Sequence, residues 1–293
     1  MVLLLSMAAC KKEPEVIPDN DAPPYDAVPT LLVRNYVNRL YIDLIGREPL
    51  NAEMEADVAF LRSGDLSVQV RNTLVVRLMT DSTWIDGDSS YAHAYHRRQY
   101  DMYKSRFLEG ASDEVIDGFI GQALQDALAD PLGGDTVGAH SEVEKLRNVK
   151  RIPVQYRRGQ IGMAEVHRRL VFNAVYDEIH MNAFNYVIAT FDNLYFRNPT
   201  NTEFNTGYAM VEHNTAGVLF GQSGQNKLEY AGIITSNSEY MEGMVRWCYQ
   251  TLLGRTPSAQ EVFSILPSFQ LDQDLQRVQR NILTSDEYAG FGQ

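Results

Sequence analysis

The first regular stretch of the chain places apolar side chains at Val33, Tyr36, Val37, Leu40, Tyr41, Leu44 and Ile45. This is the i, i+3, i+4, i+7 spacing of one helix face, so an amphipathic helix is predicted. Gly46 stands where a left-handed residue would end it, and Pro49 suits the first turn of a second helix, where a missing N–H costs nothing. The result is a helix, a corner and a helix. Met241, Met244, Val245, Cys248, Tyr249, Leu252 and Leu253 repeat the same phase position for position.

The letters recur as well as the phase. The stretch from Tyr41 to Glu53 returns from Phe191 to Glu203 and from Tyr249 to Glu261. Its skeleton is aromatic-x-x-Leu-apolar-(Gly/Phe)-Arg-x-Pro-x-x-x-Glu. Arg47, Pro49 and Glu53 are matched by Arg197, Pro199 and Glu203 and by Arg255, Pro257 and Glu261. Gly46 and Gly254 agree, whereas the middle copy has Phe196, which leaves its helix stop open. Each copy closes with a Ser/Thr/Asp cluster ahead of an aromatic residue, Trp84, Tyr240 or Tyr288. That is an N-cap signal, with the aromatic expected to pack as the next helix begins. The pattern reads as an internal repeat of about 50 residues with three helices per unit.

Between the first two copies the repeat falls silent. An aromatic and basic helix runs over 91–103, and a second follows Ser112, Asp113 and Glu114 with Val115, Phe119, Ile120, Leu124 and Leu128 as its face. A loop at 130–138, a basic segment from Lys145 to Arg158 and a long helix over 164–182 complete it. No segment sustains period-two alternation. The expectation is an all-α body of three helix–corner–helix repeats with a helical insertion between the first and second copies. The boundaries fall at 31–88 for the first repeat, 89–182 for the insertion, 183–240 for the second repeat and 241–293 for the third.

Composition narrows the partners. The 293 residues carry a formal charge of −12, which argues against a phosphate-binding surface, so no nucleic-acid partner is expected. Nothing after residue 10 approaches the ~18 consecutive apolar residues of a membrane span. Residues 1–9, however, form a short apolar run that ends in small residues before Cys10, and this resembles a bacterial lipoprotein signal. The resemblance implies acylation of Cys10 and membrane attachment at about 0.8 kcal/mol per buried CH₂. Residues 10–30, with five prolines among Asp, Glu and Asn, then form a solvated tether. Lys11 to Glu15 is similar to the charged tag of surface-exported lipoproteins of Bacteroidota-type bacteria. The implied address is the outer membrane, lipid-anchored, on its periplasmic or cell-surface face. Cys248 is left without a partner and reads as a small buried hydrophobe.

Candidate chemistry is sparse. The repeated Arg and Glu either staple the corner or form a ligand site, and three copies in three environments favour the staple. His93 and His96 lie one turn apart and could hold a metal with Asp86, Asp88 or a distant carboxylate. Tyr91, Tyr95, Arg97, Arg98, Tyr100 and Tyr103 could instead form a face that stacks on sugars or binds a protein. His167, His180 and His213 could meet only through tertiary folding. No Gly-x-Ser-x-Gly, phosphate-cradling glycine loop, Cys–His nucleophile or calcium loop occurs. No catalytic residue and no cofactor is assigned.

The stretch from Arg39 to Pro49, followed by Leu74 to Trp84, resembles the cytochrome-associated DUF1549 domain of Planctomycetes and Bacteroidota, a domain of uncharacterised activity that itself binds no haem. Tyr249 to Pro257 with Leu283 to Tyr288 is more similar to the helical DUF4214 and phycobilisome-linker-type modules. These resemblances bear on fold more than on function; the anchor, the tether, the repeat and the lack of a catalytic constellation together lead to the expectation of a non-catalytic helical scaffold or adaptor of an outer-membrane or surface assembly with protein partners. A metal- or redox-associated enzyme with its site in 89–182, and a carbohydrate-binding surface lipoprotein, are the alternatives.

Overall fold

The computed structural model describes residues 28–84, 89–129 and 136–292. Cys10, the signal-like run and most of the tether lie outside them. Helix α1 (Thr30–Leu44) buries Val33, Tyr36, Val37, Leu40, Tyr41 and Leu44, the face its spacing predicts. It ends at Gly46 with φ 84°. Helices α2 (Asn51–Ser63) and α3 (Val68–Thr80) follow. Pro49 stands before the N-cap Leu50 and not in the first turn of α2. Its fixed φ therefore shapes the approach to the helix and not the helix itself.

Helix α4 (Tyr91–Phe107) lies against α1 and α3, and its neighbours α5 (Asp113–Ala129) and α6 (Thr136–Lys150) pair with each other. The buried face of α5 runs through Ile116 and Ala127, leaving Val115 and Leu128 outside. Two short helices, α7 (Ile152–Arg157) and α8 (Met163–Val171), pack on α4. The helix expected over 164–182 is broken. Asn173 leaves the helical region at φ −160°, donates its amide to the Arg169 and Leu170 carbonyls, and accepts from the Val175 and Tyr176 N–H groups. One side chain thus closes α8 and caps α9 (Ala174–His180), the competition with the backbone that makes Asn a helix boundary.

Helices α10 (Ala183–Tyr195) and α11 (Asn201–His213) form the second corner. They are followed by a short antiparallel hairpin, β1 (Gly217–Leu219) and β2 (Gln222–Gly224). The hairpin has no counterpart in the sequence reading. Its two turn residues, Phe220 and Gly221, both take positive φ, and Phe-Gly is not the Asn-Gly signal of such a turn. Helices α12 (Lys227–Ile234), α13 (Ser238–Leu253), α14 (Ala259–Asp272), α15 (Leu275–Leu283) and α16 (Asp286–Ala289) complete an all-α fold.

The first and last described helices share one core. The Tyr36 hydroxyl donates to the Leu283 carbonyl at 3.0 Å, and the Tyr288 hydroxyl donates to Asp43 at 2.7 Å. Arg39 reaches the carbonyls of Leu252 and Tyr288, and the wholly buried Arg71 pairs with Asp286 at 2.7 Å. Helices α10 and α13 touch backbone to backbone, for a methyl at Gly243 would stand 1.8 Å from the Leu194 carbonyl oxygen. No described helix is long and apolar enough to cross a membrane.

Candidate functional site

The polar residues that recur in sequence meet at the three corners. Arg47 donates to both oxygens of Glu53 at 2.8 and 2.9 Å, Arg197 to both of Glu203 at 2.8 and 2.7 Å, and Arg255 to both of Glu261 at 3.0 and 2.6 Å. Each Glu is also the third residue of its helix and accepts the N-cap N–H, of Leu50, Thr200 or Ser258, at 2.7, 2.7 and 2.6 Å. The Thr200 and Ser258 hydroxyl oxygens in turn accept the Glu203 and Glu261 backbone N–H groups, completing a capping box. Leu50 has no side-chain acceptor, so the first corner keeps only the Glu half. The aromatic residue six places before each Arg lies beneath the guanidinium, 5.6 Å away for Tyr41, 5.1 Å for Phe191 and 5.2 Å for Tyr249.

A second carboxylate, not anticipated from sequence, completes two of the corners. Arg197 also clasps Glu239 and Arg255 clasps Glu287, the residues just before the closing aromatics Tyr240 and Tyr288. With the Asn198 and Thr256 carbonyls included, all five N–H donors of each guanidinium are bound within the protein. None remains for a ligand. In the first copy Thr83 stands at the matching position, and Glu53 instead accepts from the Tyr91 hydroxyl at 2.7 Å. The Arg197 and Arg255 hydrogen bonds hold the Glu203 and Glu261 carboxyls down to about 2.

The open question of Phe196 has a plain answer. It adopts the left-handed conformation of Gly46 and Gly254, φ 58° and ψ 35°, and the helix stops there. The conformation costs a non-glycine residue about 1–2 kcal/mol, and the Arg106 guanidinium stacks 4.3 Å above the ring as partial compensation. The closing aromatics divide: Tyr240 and Tyr288 are buried as expected, whereas Trp84 is 70% exposed.

No family model, curated protein or solved structure matches the chain.

The aromatic face expected on α4 lies in the core. Tyr95, Tyr100 and Tyr103 are each 1% exposed, because α1, α3, α7 and α8 all pack on this helix. Tyr95 donates to Gln279 at 2.6 Å and Tyr100 to Asp113 at 3.3 Å. Arg97 pairs with Asp113 at 3.1 Å, Arg98 lies against Gly46, and Tyr91 serves Glu53. The rings of Tyr95, Tyr100 and Tyr103 therefore present no exposed face for stacking.

Nor do His93 and His96 face a common site. His93 is exposed, while His96 is buried with Nδ1 2.7 Å from the Ala92 carbonyl, and burial lowers its pKa. Asp86 and Asp88 lie outside the described residues. Among the described residues no group of three or more His, Cys, Asp or Glu is placed to hold a metal ion. His167 is wholly buried with Nδ1 2.6 Å from the Tyr240 hydroxyl, and burial pushes its pKa down to about 3. His180 packs on Tyr176 and His213 on Tyr208, so these three do not converge. Cys248 is buried and its thiol pKa is raised by that burial.

Proposed function

We propose that this protein is a lipid-anchored helical scaffold or adaptor of a bacterial outer-membrane or cell-surface assembly, with a non-catalytic body. The observation that carries the reading is the corner: the residues most insistently repeated in sequence spend their hydrogen bonds on one another. In Arg197 and Arg255 every donor is used internally, which suits a part that sets helix geometry and not one that meets a substrate. Tyr95, Tyr103 and His167 are buried. The resemblance of the corners to modules of scaffolding proteins supports the same reading, as does the use of one corner geometry three times in one chain. In this proposal the repeats are building blocks, Cys10 carries the acyl anchor, and partners are envelope proteins. Cell fractionation of wild type and Cys10→Ala tests the anchor. Wild type is expected in the detergent-soluble membrane fraction and the variant in the aqueous fraction; retention of Cys10→Ala on membranes after a salt wash would overturn it.

A further inference from the structure

A concavity lies away from the corners, where the end of α3, the start of α4, the end of α7 and the link from α14 to α15 meet. Its volume is about 680 Å³, within the ~300–1,000 Å³ of small-molecule sites. Its inner wall is partly apolar, with Met79, Ala92 and Leu275 buried and the Tyr156 ring set edge-on to His96 at 5.6 Å. Around these stand neutral polar groups, Thr80, Ser82, Gln273 and Gln276, able to donate and accept.

Two features give the cavity a sign. Arg157 and Arg158 both line it, both are exposed, and neither forms an ion pair with a described residue. Arginines elsewhere in the same region are spent, Arg151 on Glu144 and Arg168 and Arg169 on Glu165. In a chain of net charge −12, two adjacent uncommitted guanidinium groups over a concavity form a local positive field. Asp274, the carboxylate of the lining, is already engaged: it caps the Arg277 N–H at 2.9 Å and pairs with Arg280 at 3.3 Å. The second feature is His96. Its Nδ1 faces the Ala92 carbonyl at 2.7 Å and must therefore carry the proton, so the neutral ring has Nε2 free to accept a hydroxyl.

We propose that this cavity binds a small hydroxylated organic anion, its carboxylate or phosphate held by Arg157 and Arg158 and its hydroxyls by His96 Nε2 and the neighbouring amides and hydroxyls. Guanidinium groups favour planar, two-point recognition of such anions. The site is independent of the scaffold reading, since it uses no corner residue and no anchor.

Calorimetric titration of the whole protein with glucuronate, glucose 6-phosphate and glucose tests the proposal. At least one of the two anions is expected to bind saturably, and uncharged glucose is expected not to. The Arg157→Gln/Arg158→Gln double variant should lose about tenfold or more in affinity. Both arginines are exposed, so the variant should keep the wild-type melting temperature, and His96→Asn should weaken the same anion while leaving glucose silent. A carboxylate preference or a phosphate preference identifies which source of charge the site takes. Absence of saturable binding by both anions up to about 10 mM, or equal affinity in the double variant, would overturn the proposal.

Discussion

Replacing Gly243 with alanine probes the closest approach between the second and third corners. In a helix interior glycine costs about 0.5–1 kcal/mol relative to alanine, so Gly→Ala normally stabilises. Here the added methyl would lie 1.8 Å from the Leu194 carbonyl oxygen. An ordinary carbon–oxygen contact needs about 3.3 Å, so α13 must withdraw from α10 by roughly 1.5 Å, as that same contact distance requires. The obstacle is backbone and cannot rotate away. Overpacking typically costs about 1–3 kcal/mol, and a clash with fixed backbone belongs at the upper end, near 3 kcal/mol. For a domain of this size that corresponds to a fall in melting temperature of about 6–12 °C. Thermal and urea unfolding followed by far-UV circular dichroism measure it, with Gly232→Ala as control: Gly232 is also helical but has nothing within 4 Å of the added methyl. The control should be as stable as wild type or more so. A Gly243→Ala protein that melts at or above the wild-type temperature would show that α13 and α10 are not in backbone contact at this position.

Three further outcomes follow from the corners. Arg197→Ala leaves Glu203 and Glu239 facing each other and should cost about 2–3 kcal/mol in urea titrations, with Arg197→Lys recovering less than half, because an ammonium cannot supply five fixed donors. Glu203 and Glu261 have folded pKa values of about 2 against an ordinary 4.5. Their stabilisation is therefore complete above pH 4.5 and is lost as pH falls from there towards 2. With solvent screening this amounts to ~1 kcal/mol each, and Glu203→Gln should flatten the acid limb of the stability profile by its share. Gly254→Ala, at φ 68° with open space around it, should cost about 1 kcal/mol from backbone conformation alone. Melting at the wild-type temperature would show that the left-handed stop is unimportant.

The parts of this fold that could be read in the sequence are those specified locally. The faces of α1 and α13 follow from apolar spacing, and the Arg–Glu bond joins residues six apart within one corner. What escaped depends on distant chain. Glu239 and Glu287 reach their arginines from 42 and 32 residues away, and the only trace in the sequence is a Glu before the closing tyrosine in two of three copies. Tyr95, Tyr100 and Tyr103 looked like a surface because α4 is rich in polar and basic residues, yet other helices cover it and Gln279, 184 residues on, accepts the Tyr95 hydroxyl. Asn173 was ambiguous for a different reason: its spacing fits a continuous helix, and only its side-chain bonds to both flanking turns show that the helix breaks there. The cavity bordered by Arg157 and Arg158 was likewise illegible, since His96, Arg157 and Gln273 come together from separate elements.

The central claim, that this is an anchored scaffold, is tested most directly by affinity purification of the tagged, full-length protein from native membranes in mild detergent, with composition and mass measured together. The expected result is a complex containing other envelope proteins in fixed stoichiometry, retained after a salt wash. Recovery of the chain alone, at the mass of a single copy, would contradict it.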